Sequence, residues 1–111
     1  MTTRAHDRIA LVTGGGGFIG QSLVGRLLAG GWTVRNLDFV AGQIADPRLT
    51  HWAGSFLQRP LLAEAMVGVD TVFHLAATKF PREADRDPLV DAQENIIGTV
   101  MMLDQAVEAE V

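Results

Sequence analysis

Ile9-Ala10-Leu11-Val12-Thr13-Gly14-Gly15-Gly16-Gly17-Phe18-Ile19-Gly20 decides the fold. Four apolar residues in a row, with no polar alternation, read as a strand buried on both faces, the kind found inside parallel sheets. The run stops at a threonine and four glycines. Apolar residues then recur at Ile19, Leu23, Val24, Leu27 and Leu28, a helical spacing, until Gly30-Gly31 ends the segment as a C-cap. A glycine turn between a buried strand and a helix is where a phosphate-binding turn belongs. Glycine lets the backbone turn tightly and approach a pyrophosphate closely. The following helix offers unpaired N–H groups and the positive end of its dipole. Gly15, Gly17 and Gly20 fit G-x-G-x-x-G, and Gly14, Gly17 and Gly20 fit T-G-x-x-G-x-x-G. No Gly-Lys-Ser/Thr follows, which excludes the P-loop of kinases and ATPases.

Outward from this turn, strands and helices alternate. Trp32 to Asp38 reads as a second strand, Gln43 to Leu49 as loop and Thr50 to Ala53 as a short third strand. Leu61 to Val67 reads as a short helix, Val69 to Ala76 as a fourth strand, Thr78 to Asp87 as a charged loop and Pro88 to Glu110 as one long helix. Such alternation predicts a parallel α/β sheet. The apolar residues of the last helix (Leu89, Val90, Ile96, Ile97, Val100, Met101, Leu103 and Val107) span an arc of about 160° at 100° per residue. An arc that wide predicts a helix packed deeply on the sheet, or one whose edge meets another subunit.

Asp38 closes the second strand, 18 residues after Gly20. That is close to the spacing of a carboxylate that accepts from the hydroxyls of an adenosine ribose. It repels a 2′-phosphate, so NAD is expected over NADP. Strand alternation points Arg35 away from Asp38's neighbours.

The 111 residues allow one domain, read as a loose tail over 1–8 and a folded unit over 9–111. Cysteine is absent, which excludes disulfides, thiolate metal sites and a cysteine nucleophile. The net charge is −4, Lys79 is the sole lysine, and the eight arginines are scattered. Nucleic acid and anionic membranes are therefore poor partners. No apolar run approaches the ~18 residues of a membrane span, and the polar start is unlike a signal peptide. A cytoplasmic protein is expected. His6 and His51 have no partner spacing that suggests a metal; His74 reads as a core histidine at the end of a buried strand.

Four segments together resemble the extended short-chain dehydrogenase/reductase family of NAD-dependent epimerases and dehydratases. They are T-G-G-G-G-F-I-G at Thr13 to Gly20, V-R-N-L-D at Val34 to Asp38, D-T-V-F-H-L-A-A at Asp70 to Ala77, and N-I-I-G-T-V-M-M-L-D-Q-A at Asn95 to Ala106. The resemblance implies a Rossmann-type parallel sheet with helices on both faces, truncated to about four strands. It implies that Phe18 and Ile19 lend N–H groups to the pyrophosphate and that Asp38 holds the ribose. The backbone of Leu75, Ala76 and Ala77 would line the nicotinamide side, Lys79 would contact the cofactor, and Asn95 would contact it or order the site. Where the family usually has Gly-Asp after the third strand, this chain has Gly54-Ser55. Ser55 can accept one hydrogen bond from adenine without charge, and Phe56 can pack on the ring.

The family's acid/base is the tyrosine of a Tyr-x-x-x-Lys pair beyond a fifth strand. No tyrosine occurs in these 111 residues. The resemblance therefore implies the cofactor-binding half of such an enzyme, without catalytic residues. A standalone nucleotide-binding module and a non-binding interaction fragment are the alternatives. Self-association is expected, through an open fourth strand or through the 88–110 helix.

Overall fold

The computed structural model describes residues 8–76 and 88–111. Its sheet has four strands: β1 (Ile9–Thr13), β2 (Thr33–Asp38), β3 (Leu49–Ala53) and β4 (Thr71–His74). Their order is β3-β2-β1-β4, all parallel. β1 is thus a central strand, which is why its residues are apolar on both faces. Ala10 and Val12 point to one side, Leu11 to the other, and all three are fully buried.

Helix α1 (Phe18–Ala29) covers the first side. There Val24, Leu27 and Leu28 pack with Ala10, Val12 and Val34. Helix α2 (Arg59–Ala65) and the C-terminal helical segment cover the other, where Leu62, Ala65, Met66 and Met102 close over Leu11, Leu37 and Phe56. The parallel sheet is what the alternation predicts, and helices on both of its faces are the Rossmann-type layering that the family resemblance implies. Arg35 does lie away from Asp38: its Nη1 donates to the Ala65 and Val67 carbonyls, both at 2.7 Å, and its guanidinium sits over Trp52. It anchors the end of α2 to the sheet.

β2 and β3 start within one residue of the sequence reading, whereas β4 and α2 differ from it by two residues at each end. β4 is shorter than Val69 to Ala76, because Val69 still belongs to the turn from Met66 and Asp70 caps the strand by accepting the Ile9 N–H at 2.7 Å. α2 starts earlier than Leu61, since Pro60 needs no N–H partner in a first turn.

The last helix departs more. It is α3 (Pro88–Ala92), a π-helical turn (Gln93–Ile97) and α4 (Gly98–Glu108). A π turn adds a residue to the helical repeat and rotates everything after it by about 100°. Gly98, Met102 and Gln105 therefore face inward, while Leu89, Ile96, Ile97, Val100, Leu103 and Val107 are exposed. Of the predicted apolar arc, Met101 packs against the core. Deep packing of that arc on the sheet is thus corrected: most of it faces outward. Gly98 explains the inward phase, because a Cβ there would run into the Phe56 ring. Among the described residues, no helix is long and apolar enough to cross a membrane.

Candidate functional site: the glycine turn at the strand ends

The C-terminal ends of β1, β2 and β4 converge on the turn between β1 and α1. Gly14 leaves β1 with φ +76, a left-handed conformation that disfavours any side chain, and a Cβ on it would lie 3.0 Å from the Ala76 nitrogen. The Gly17 N–H closes the turn on the Gly14 carbonyl at 3.2 Å. Gly17 is the N-cap of α1 and supplies no side-chain cap. The first-turn N–H groups of Phe18, Ile19 and Gly20 have no partner inside the helix. The side chains of Phe18 and Ile19 stand in solvent beside them. Gly20 lets α1 seat on the turn, for a Cβ there would strike the Gly14 carbonyl and come within 2.7 Å of the Gly15 Cα.

Gly17 differs from its neighbours. A Cβ on it would meet nothing nearer than the Gly14 carbonyl at 3.5 Å, and its φ of −79 suits any residue. The described structure makes no demand for glycine here. Among the described residues, nothing fills the space in front of it.

Asp38 sits beside this opening. Its Oδ2 accepts the Gly16 N–H at 3.1 Å. Its backbone carbonyl accepts from His51 Nε2 at 2.8 Å and from the Gly54 N–H at 3.3 Å, fixing the strand end. The second carboxylate oxygen leaves acceptor capacity for a hydroxyl.

Across β1, Thr13 is fully buried and ties the ends of β1 and β4 together. Its Oγ1 accepts the N–H groups of Leu75 (3.0 Å) and Ala76 (3.2 Å) and lies 2.7 Å from His74 Nδ1. With two N–H groups donating to the oxygen, the hydroxyl proton points at Nδ1. His74 is therefore neutral, with its ring proton on Nε2. Burial pushes its pKa down, in agreement. The ring packs edge-on to Phe56, with centroids 4.8 Å apart. These bonds hold Leu75 and Ala76 against Gly14, the arrangement a dinucleotide crossing the strand ends needs.

Two expectations are altered. Phe56 is buried in the core between His74, Gly98 and the α2–α4 cluster rather than open to an adenine ring. The apolar contacts of a phenyl ring outweigh an exposed stacking position. Ser55 is occupied locally: its Oγ accepts the Leu57 N–H at 3.0 Å and its own N–H donates to Gln58 Oε1 at 2.7 Å, shaping the entry to α2. Asn95 is half-buried in the π turn, its carbonyl accepting the Thr99 hydroxyl at 2.7 Å. Ala77 and Lys79 lie outside the described residues. Sequence reading missed Gln21 and Asn36, both of which touch the turn. An amide two residues from Val34, on the same face of β2, was the available signal for Asn36.

The comparisons agree with this geometry. A 3-beta-hydroxysteroid dehydrogenase of Mycolicibacterium neoaurum is 46% identical over 77 residues, 68% of this chain and 21% of that protein. A UDP-glucose 4-epimerase of Thermotoga maritima, solved with UDP-glucose, matches with TM-score 0.82 and 30% identity over 93% of this chain and 35% of that one. A dTDP-glucose 4,6-dehydratase of Streptomyces venezuelae, solved with NAD bound, matches with TM-score 0.82 and 36% identity over 93% of this chain and 37% of that one. The chain thus spans between 21% and 37% of the length of these relatives. The family model described as NAD dependent epimerase/dehydratase matches residues 10–111. A match that runs from the second residue of β1 to Val111 takes in every described helix and, Ile9 apart, every strand, and the chain belongs to the NAD dependent epimerase/dehydratase family.

Proposed function

We propose that this chain is the NAD-binding portion of an epimerase/dehydratase-type enzyme. Gly17 carries the reading: its missing side chain opens a space that no described protein atom requires. The pyrophosphate lies there, on the N–H groups of Phe18 and Ile19, with the α1 dipole behind them. Asp38 takes the adenosine ribose through the oxygen not used by Gly16. The backbone at Leu75 and Ala76, held by Thr13, backs the nicotinamide half, with Ala77, Lys79 and Asn95 as further contacts. Bound NAD supplies hydride transfer. The chain's own residues bind and orient it, and the 111 residues contain no tyrosine to serve as acid/base. We place the protein in the cytoplasm, in line with its cysteine-free sequence. Calorimetry of the folded chain with NAD tests the reading. Binding that falls about tenfold or more in Asp38→Ala, a loss near 1.4 kcal/mol, supports it; no heat at millimolar NAD overturns it.

The outward apolar face supports a second element of the proposal, self-association. Val100 and Leu103, each 62% exposed, and Val107, 76% exposed, lie at i, i+3 and i+7 on one face of α4. A contiguous apolar face of this kind is covered in a working protein. β4 adds a sheet edge paired only with β1 among the described residues. Sedimentation as a monomer at tens of micromolar, roughly where exposed edges associate, overturns self-association and leaves NAD binding untouched.

A further inference from the structure

The segment after β2 is tied to the glycine turn by two side-chain amides. Gln21, in the first turn of α1, donates from Nε2 to the Gly16 carbonyl at 3.2 Å and accepts the Gln43 N–H on Oε1 at 2.9 Å. Gly42 packs on the same amide: its φ is +81, and a Cβ there would lie 3.2 Å from Gln21 Oε1. From β2, Asn36 donates from Nδ2 to the Val40 carbonyl at 3.3 Å and to the Ala41 carbonyl at 3.4 Å. Two carbonyl partners fix which end of the amide points at the loop.

Asn36 is 1% exposed, and its Oδ1 is buried without a hydrogen-bond partner among the described residues. That oxygen faces the turn, where a Cβ on Gly15 would come within 2.6 Å of it. A Cβ on Gly16 would collide with the Val40 carbonyl. Gly15 is therefore held to glycine by the Asn36 side chain of β2, and Gly16 by the Val40 carbonyl of the segment that follows it. A buried amide in a central parallel strand, one acceptor unpaired, is unfavourable against an apolar residue. Its two loop contacts give it a role.

We propose that Gln21 and Asn36 are positioning residues that clamp Phe39–Gln43 onto the glycine turn, and that the clamped segment, together with Asp38, sets the preference for NAD over NADP. This rests on the NAD-binding reading above. Asp38 leads directly into the segment, and its Oδ2 is held by Gly16, the residue that Val40 and Gln21 contact. The segment contains no cation, and its Phe39 and Val40 side chains are exposed beside Asp38. The Val40 and Ala41 carbonyls are turned onto Asn36. A 2′-phosphate at Asp38 meets a carboxylate and an immobile apolar wall. Releasing the clamp lets the wall retreat, so the two dinucleotides are affected unequally.

The test compares NAD and NADP dissociation constants for the full chain and Gln21→Met, which keeps length and loses both hydrogen bonds. NAD affinity is expected to fall, and the NAD-over-NADP ratio to shrink about threefold or more, the scale of one modest hydrogen bond. The Gln43 amide is expected to exchange faster with solvent. Gln21→Glu keeps the acceptor for Gln43 and loses the donor to Gly16; it is expected to keep Gln43 protected and to give an intermediate ratio. Equal loss for both dinucleotides, or an unchanged ratio, overturns the clamp as a specificity device. A wild-type chain that binds neither dinucleotide overturns the cofactor reading itself, a result distinct from both.

Discussion

Thr13 and His74 are register partners on β1 and β4, and the threonine hydroxyl donates to the imidazole Nδ1 across 2.7 Å. The same oxygen accepts two backbone N–H groups from the residues that follow β4. One buried hydroxyl thus joins the two strand ends that face the proposed cofactor and selects the histidine tautomer.

Replacing Thr13 by valine keeps the shape and removes all three bonds. The Ala76 N–H and His74 Nδ1 are left without this partner, at about 1–3 kcal/mol. Thr13→Val is expected to lower the urea midpoint by that energy divided by the m-value, with the m-value itself unchanged, whereas Thr13→Ser is expected to keep most of the stability.

His74 makes stability depend on pH. Its folded-state pKa lies below the ordinary value because burial disfavours the imidazolium. The unfolded chain therefore takes up the proton first as pH falls. The contribution is present in full above about pH 6.5, the unfolded histidine value. It is lost as pH falls from there toward the folded-state pKa, and stops changing below it. Chemical denaturation across pH 7.5 to 5, roughly the range in which histidine titrates, is expected to show this fall in wild type and a weaker one in His74→Gln.

Gly17 and Gly20 separate binding from folding. Gly17→Ala is expected to cost no more than the N-cap preference of glycine over alanine, about 1 kcal/mol or less, since among the described residues its Cβ meets only the Gly14 carbonyl at 3.5 Å, yet to weaken NAD binding. Gly20→Ala drives a Cβ into the Gly14 carbonyl, a rigid backbone group, and is expected to cost about 1–3 kcal/mol of stability. Thermal melts with and without NAD, run on both variants, check the contrast.

Gly98 and Phe56 are coupled by contact. A methyl on Gly98 overlaps the Phe56 ring and lies 3.0 Å from Leu57 Cδ2. Gly98→Ala is expected to destabilise by about 1–3 kcal/mol through overpacking. The double variant Gly98→Ala/Phe56→Leu is expected to lose less than the sum of its single changes, a non-additivity that a double-mutant cycle reads directly.

Much of the architecture was legible in the chain. An apolar run with no alternation can only be a doubly covered strand here, and β-branched residues with glycine breaks mark the other strands. The glycine spacing and Asp38 located the turn and its acid, because both depend on residues near in sequence. Phe56, Ser55 and the last helix were less legible. Whether Phe56 stacks on a ligand or fills the core depends on Gly98, 42 positions away. Ser55's partners are local, but nothing in the composition ranks a turn over a ligand for a lone hydroxyl.

By itself, then, the sequence determined the parallel α/β order, the glycine turn between β1 and α1 and the acid at the end of β2. These follow from periodicity and glycine, which act over a few residues. Tertiary structure alone decided which glycines are demanded by packing and which stands open, that a π turn swings the apolar face of α4 outward, and that Gln21 and Asn36 clamp the segment beside Asp38. Each of those is a matter of which atoms meet across the fold, and steric contact between distant residues leaves no periodicity for a sequence to display.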